Sequence, residues 1–158
     1  MKTAIIPGSF DPITLGHLDI IRRAALLFDS VVVCVMVNSS KTGMFSHEER
    51  VDLIRRATAQ LPNVTADSYG GLLAEYVKPD AVIVKGLRST TDFEYELPMA
   101  YINSGIGNHP ETLFLASAPE YAHVSSSAVR ELSKYSADIS GFVSAEILND
   151  INNKAREK

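Results

Sequence analysis

With 158 residues, 46% of them apolar and 22% charged, the chain has the composition of a soluble globular protein and is long enough to bury a sizeable core in one domain. A formal net charge of −4 argues against a nucleic-acid binder and requires any phosphate-handling site to gather its cations locally. A single cysteine, Cys34, excludes a disulfide framework, and no apolar run approaches the roughly 18 residues of a membrane helix.

Pro7 follows Lys2 too closely for a signal peptide, so a cytoplasmic address is expected. Residues 3–6 read as a first strand and 16–28 as a helix with Leu18, Ile21, Ala25 and Phe28 on one face. Residues 30–37 form a strand apolar on both faces. Cys34 lies within it, with nothing beside it to lower its pKa, and reads as a small buried hydrophobe. A helix over 46–60 opens on the capping box Ser46-His47-Glu48-Glu49, with Val51, Ile54, Ala57 and Leu61 as its buried stripe. Residues 63–67 make a third strand, and 71–77 a short helix stopped by Pro79. A fourth strand spans 81–85. Residues 91–104 read as a helix that Pro98 should bend or break. Residues 112–116 form a fifth strand, and 125–135 and 144–155 the last helices.

Strand and helix alternate throughout, and several strands are continuous apolar runs. That pattern predicts an α/β fold: one domain over residues 1–158, with a Rossmann-like open parallel five-stranded sheet and helices on both faces. Ligands in such sheets sit beyond the carboxyl ends of the strands, where strand order reverses. The loops after Ile6, Val37, Lys85 and Ala116 are therefore the candidate site.

No Walker A pattern occurs. Ser104-Gly105-Ile106-Gly107-Asn108-His109 lacks the third glycine of a dinucleotide fingerprint and ends a helix, so it reads as a turn. No His, Cys and carboxylate cluster has metal-ligand spacing, so any Mg²⁺ is expected to arrive mainly on a substrate's phosphates. His47 and His109 read as surface residues.

The first loop carries the clearest chemistry. Gly8 permits a turn and a close ligand approach, Ser9 offers a hydroxyl at the strand end, and Phe10 can wedge the loop into the core. His17 lands in the first turn of the next helix, where unpaired N–H groups and the dipole favour an anion. An incidental histidine at a capped helix start is the competing reading of these residues alone.

The run Gly8-Ser9-Phe10-Asp11-Pro12-Ile13-Thr14-Leu15-Gly16-His17 resembles the first signature of the nucleotidyltransferase superfamily related to class I tRNA synthetases. Its hallmark is a His-x-Gly-His-like tetrad, here Thr14-Leu15-Gly16-His17, and threonine at the first position resembles the bacterial phosphopantetheine adenylyltransferases. Four further segments fit that family in order. They are Ser39-Ser40-Lys41-Thr42-Gly43-Met44-Phe45, Leu72-Leu73, the stretch from Lys85-Gly86-Leu87-Arg88 to Asp92-Phe93-Glu94-Tyr95-Glu96, and Tyr121-Ala122-His123-Val124-Ser125-Ser126-Ser127.

The resemblance implies transfer of an adenylyl group from ATP to 4′-phosphopantetheine. It gives the catalytic roles to His17, Lys41 and Arg88. Ser9, Lys41, Leu73 and Lys85 would bind phosphopantetheine. Ser9, Phe10, His17, Gly86, Leu87, Arg88, Glu96, Tyr121, Ala122, His123, Val124, Ser125, Ser126 and Ser127 would bind ATP. It further implies Mg²⁺ on the ATP phosphates, a homohexamer, and coenzyme A as a feedback inhibitor. The cations His17, Lys41, Lys85, Arg88 and Arg130 would then gather on loops and helix starts at one end of the sheet, although each alone reads as a solvated surface charge.

The chain departs from the family pattern at Ser9, where threonine is frequent, at Gly43, where proline is common, and at Lys85, where arginine is usual. Tyr121 and His123 replace bulkier aromatics. Two other readings stand beside this one: a relative acting on nicotinate mononucleotide or glycerol phosphate, and a non-catalytic nucleotide-binding module.

Overall fold

The computed structural model describes residues 2–38 and 42–157. Its strands are β1 (Thr3–Gly8), β2 (Ser30–Met36), β3 (Val64–Tyr69), β4 (Ala81–Leu87) and β5 (Thr112–Ala116). They form one parallel sheet in the order β3-β2-β1-β4-β5. Strand order reverses between β1 and β4, so a crevice opens between the loops leaving those two strands. The helices are α1 (Leu15–Leu27), α2 (His47–Ala57), α3 (Leu73–Tyr76), α4 (Thr90–Gly105), α5 (Ser126–Lys134) and α6 (Ala145–Arg156). A 3-10 turn at Pro119–Tyr121 precedes α5.

Alternation along the central strands divides the core. Ala4, Ile6, Val31, Val33 and Val35 face the larger cluster, which they share with buried residues of α1, α2, α5 and α6. Ile5, Cys34 and Ile83 face the opposite side, where Val77, Leu73 and Tyr76 cover them. Two covered faces are the reason β2 is apolar throughout. Burial pushes the Cys34 thiol up to about 11, in keeping with an inert hydrophobe.

Four expectations shift. The buried face of α1 is Leu18, Ile20, Ile21 and Ala24, with Ala25 and Phe28 only partly covered. β4 continues past Lys85 because Gly86 and Leu87 pair with Leu115 and Ala116 of β5. α4 runs unbroken through Pro98; the carbonyl this leaves without a donor belongs to exposed Glu94, where water can serve. Arg50 joins Val51, Ile54 and Ala57 on the buried stripe of α2.

The turn after α4 docks on α3: Asn108 donates its side-chain amide to the carbonyls of Glu75 (3.2 Å) and Val77 (3.0 Å). Gly107 has φ +57°, and a Cβ there would come within 2.7 Å of the Ala74 carbonyl oxygen. Among the described residues, no helix is long and apolar enough to cross a membrane.

Candidate active site

The β1–α1 loop is built around two side chains. Phe10 takes a positive φ of 46° and buries its ring, which lies edge-on to the His17 imidazole with centroids 5.0 Å apart. Gly8 gives that ring its space, since a Cβ there would sit 3.0 Å from it. Thr14 is the N-cap of α1 and accepts from the His17 amide at 3.4 Å, while the Thr14 N–H donates to Nδ1 of the His17 ring at 3.0 Å. Histidine thus fills the reciprocal place that Glu or Gln usually occupies in a capping box. With Nδ1 an acceptor, the proton of the neutral ring resides on Nε2. Burial, with help from the Arg88 charge, lowers the His17 pKa to about 4, so the ring is neutral at pH 7.

The end of β4 supplies the cations. Lys85 Nζ lies 3.2 Å from Glu96 Oε2 of α4. Arg88 donates from its backbone N–H and Nε to Asp92 Oδ2 (2.9 and 3.1 Å) and from Nη1 to the Val124 carbonyl at 3.3 Å. Arg88 therefore ties the end of β4 to the chain entering α5. There the Ser125 hydroxyl accepts from the Ala128 N–H as N-cap, and the Ser126 hydroxyl donates to the Pro12 carbonyl at 2.8 Å. The earlier N–H groups of the α5 first turn have no intrahelical acceptor and are the donors an anion would meet.

These groups line a cleft of about 630 Å³ whose walls include Ser9, Phe10, Gly16, His17, Lys85, Gly86, Arg88, Glu96, Val124, Ser125, Ser126 and Ser127. Thr91, Asp92 and Tyr95 of α4 also line it. They escape a reading of strand ends because a helix flank brings them in. Leu87, Tyr121, Ala122 and His123 are not among the lining residues: Tyr121 packs beside Gly16, and His123 stands edge-on to Phe142 at 5.7 Å. Leu73 is packed into the core on the α3 side. Lys41 lies outside the described residues. Lys85 is within β4 rather than on a loop, and Arg130 is past the first turn of α5.

A second cleft, of about 810 Å³, shares Ser9, Ser126 and Ser127 with the first and adds Asn38, Thr42, His47, Arg50, Arg130, Lys134 and Lys154. His47, expected at the surface, is half-buried in its wall. His109 is exposed in its turn, as expected, with Nδ1 3.0 Å from the Ser104 carbonyl oxygen.

A cleft at the strand-order reversal, entered by the N-termini of α1 and α5 and lined by cations, is suited to a nucleotide's phosphates. Residues 5–132 match the cytidylyltransferase-like family. Curated relatives called phosphopantetheine adenylyltransferase include one from Clostridium perfringens, 48% identical over 98% of this chain and 95% of the relative. Another, from Clostridium novyi, is 50% identical over 98% of this chain and 97% of the relative. One from Streptomyces coelicolor is 47% identical over the whole of both chains. A solved structure from Vibrio parahaemolyticus, described as a nicotinate-nucleotide adenylyltransferase, shares the fold. Its TM-score is 0.69 at 20% identity, covering 95% of this chain and 97% of that one. The chain belongs to the cytidylyltransferase-like family of nucleotidyltransferases and, within it, to the phosphopantetheine adenylyltransferases.

Proposed function

We propose that this chain transfers the adenylyl group of ATP to the phosphate of 4′-phosphopantetheine, forming dephospho-coenzyme A and pyrophosphate in coenzyme A synthesis. Relatives of 47–50% identity across nearly the full chain carry that name. The observation that carries the chemistry is the Nε2–H of His17 held in the same cleft as Lys85, Arg88 and the first turn of α5.

An oxygen of the acceptor phosphate attacks the α-phosphorus of ATP. The new P–O bond forms as the bond from the α-phosphorus to the α,β-bridging oxygen breaks, and that oxygen departs with pyrophosphate. The nucleophile is already an anion, so no general base is required. Catalysis is alignment plus stabilisation of developing charge. His17 Nε2–H donates to an α-phosphate oxygen. Arg88 and the N–H groups of α5 hold the β,γ-phosphates, while Lys85 and Ser9 hold the acceptor. Lys41 is assigned to the attacking phosphate by resemblance.

Among the described residues, no group of three or more His, Cys, Asp or Glu is placed to hold a metal. The cleft carboxylates Asp92 and Glu96 are engaged by Arg88 and Lys85. That donor set fits Mg²⁺ carried by the ATP phosphates, where it would neutralise charge. Exposed Tyr95, Met99 and Ile102, spaced i, i+4 and i+7, put an apolar stripe on one side of α4 that suits a second copy. It is consistent with a homohexamer. A cytoplasmic enzyme with coenzyme A as feedback inhibitor completes the proposal.

The test offers the purified protein ATP, Mg²⁺ and one acceptor at a time: phosphopantetheine, nicotinate mononucleotide or glycerol phosphate. Pyrophosphate release with phosphopantetheine alone is the expected result. Release with another acceptor would reassign the substrate, and silence with all three would indicate a nucleotide-binding module.

A further inference from the structure

Asp11 and Arg50 are the one acidic and one basic side chain within the described residues that are both nearly lost to solvent, at 7% and 6% exposure. They face each other, with Arg50 Nε 3.3 Å from Asp11 Oδ1. Burying two charges is costly, and the pair is tolerated only where hydrogen bonds complete it. Here they do. Asp11 Oδ2 accepts from the Met44 N–H at 2.8 Å and Oδ1 from the Phe45 N–H at 2.9 Å. Arg50 Nε donates to the Phe45 carbonyl at 2.9 Å, and its Nη1 to the Ser9 carbonyl at 3.3 Å. The Asp11 carbonyl in turn accepts from Arg130 Nη1 at 2.7 Å, and Arg130 Nη2 reaches the Ser127 hydroxyl.

The pair thus bolts three segments together: the backbone at Ser9, the chain entering α2, and, through Arg130, the first turn of α5. Ser9 lines both clefts, so the bolt lies in the wall between them. Gly43 belongs to the same device. A Cβ there would overlap Arg50 Nη2 and come within 2.8 Å of Asp11 Oδ2. The guanidinium therefore occupies the space that a side chain at position 43 would fill.

We propose that the Asp11–Arg50 pair, seated against Gly43, is a positioning element of the active site that holds the acceptor-binding wall at Ser9 in register with His17. The inference rests on the adenylyl-transfer reading above. Neither side chain need touch a substrate; each acts through the backbone it holds. Lysine at position 50 keeps the charge and loses the fork that spans Asp11, Phe45 and Ser9. Misplacement of the acceptor follows, and displacements of about 1 Å cost on the order of 10²-fold in such sites.

The test is steady-state pyrophosphate release by Arg50→Lys, with each substrate varied in turn and folding checked by circular dichroism. The expected result is a KM for phosphopantetheine raised at least fivefold with the KM for ATP within twofold of the parent. A merely structural role would lower the active fraction and move neither constant. Any other pattern, whether both constants at parental values or both raised together, overturns the inference. Should Arg50→Lys fail to fold, Gly43→Ala, which keeps both charges and displaces the guanidinium, gives the same two readings. A parent enzyme silent with phosphopantetheine would overturn the adenylyl-transfer reading itself, whereas an active parent with unmoved variants overturns the positioning role alone.

Discussion

The backbone N–H of Thr14 donates to Nδ1 of His17 at 3.0 Å, so the helix cap that starts α1 also chooses the tautomer of the ring at the centre of the cleft. A neutral ring with Nε2–H is a hydrogen-bond donor aimed by the backbone, not a cation. Long-range ¹H–¹⁵N correlation spectra at pH 7 should show Nδ1 as the unprotonated nitrogen of His17. A protonated Nδ1 would contradict the cap geometry.

Stability should report the same ring. The His17 pKa is near 4 in the folded state, against 6.5 for an unperturbed histidine, with burial the main cause and Arg88 the second. Between those values the unfolded chain binds the extra proton, so folding stability rises with pH across that window. The contribution is fully present above about pH 6.5 and is lost as pH falls towards 4. His17→Gln, which can keep the reciprocal cap, should show a smaller difference between urea midpoints at pH 7 and pH 5 than the parent. An equal pH dependence in the two proteins would rule out a depressed His17 pKa.

Removing the donor should separate chemistry from binding. His17→Ala is expected to lower kcat by about 10²-fold or more, the loss seen when one donor to developing charge is deleted. ATP should still bind, because Arg88 and the first turn of α5 remain. Calorimetry of ATP binding beside pyrophosphate release checks both halves, and near-normal turnover would remove His17 from its assigned role.

Gly86 shows that a glycine in a phosphate-site motif can be kept for packing. A Cβ on it would lie 2.7 Å from Cγ1 of Ile20, a buried residue of α1. Gly86→Ala should therefore destabilise by about 1–3 kcal/mol, the usual cost of overpacking. Chemical denaturation of parent and variant measures it.

What could be read ahead of the structure was whatever lies close in sequence. The capping box at Ser46, the continuous apolar run of β2 and the loop from Gly8 to His17 are local patterns. The β3-β2-β1-β4-β5 order locates the crevice where the strand-end reading puts it. What could not be read depends on distant partners. The fourth strand reads as ending at Lys85 because glycine follows it, yet β5 extends the ladder through Gly86 and Leu87. Arg50 had a readable signal, since it shares the stripe of Val51, Ile54 and Ala57, but only Asp11, 39 positions earlier, explains an arginine facing inward. Ser125, Ser126 and Ser127 read alike as ATP-binding residues, whereas the Ser126 hydroxyl, in the first turn of α5, donates to the Pro12 carbonyl, 114 residues away.

Arg88 ties these features together and can be tested through His17. Its guanidinium bridges Asp92 in the first turn of α4 and the Val124 carbonyl ahead of α5, and its charge helps hold the His17 ring neutral. Arg88→Ala should therefore raise the His17 pKa, because one of its two causes is gone while burial remains. The same change removes a cation from the proposed triphosphate site and frees the chain entering α5, so the KM for ATP should rise while that for phosphopantetheine changes little. Arg88→Lys keeps the charge without the fork. It should leave the His17 pKa near the parent value and still weaken ATP binding. Titrating His17 by NMR in both variants, alongside their kinetics, separates charge from geometry: an unchanged His17 pKa in Arg88→Ala would show that burial alone keeps the ring neutral.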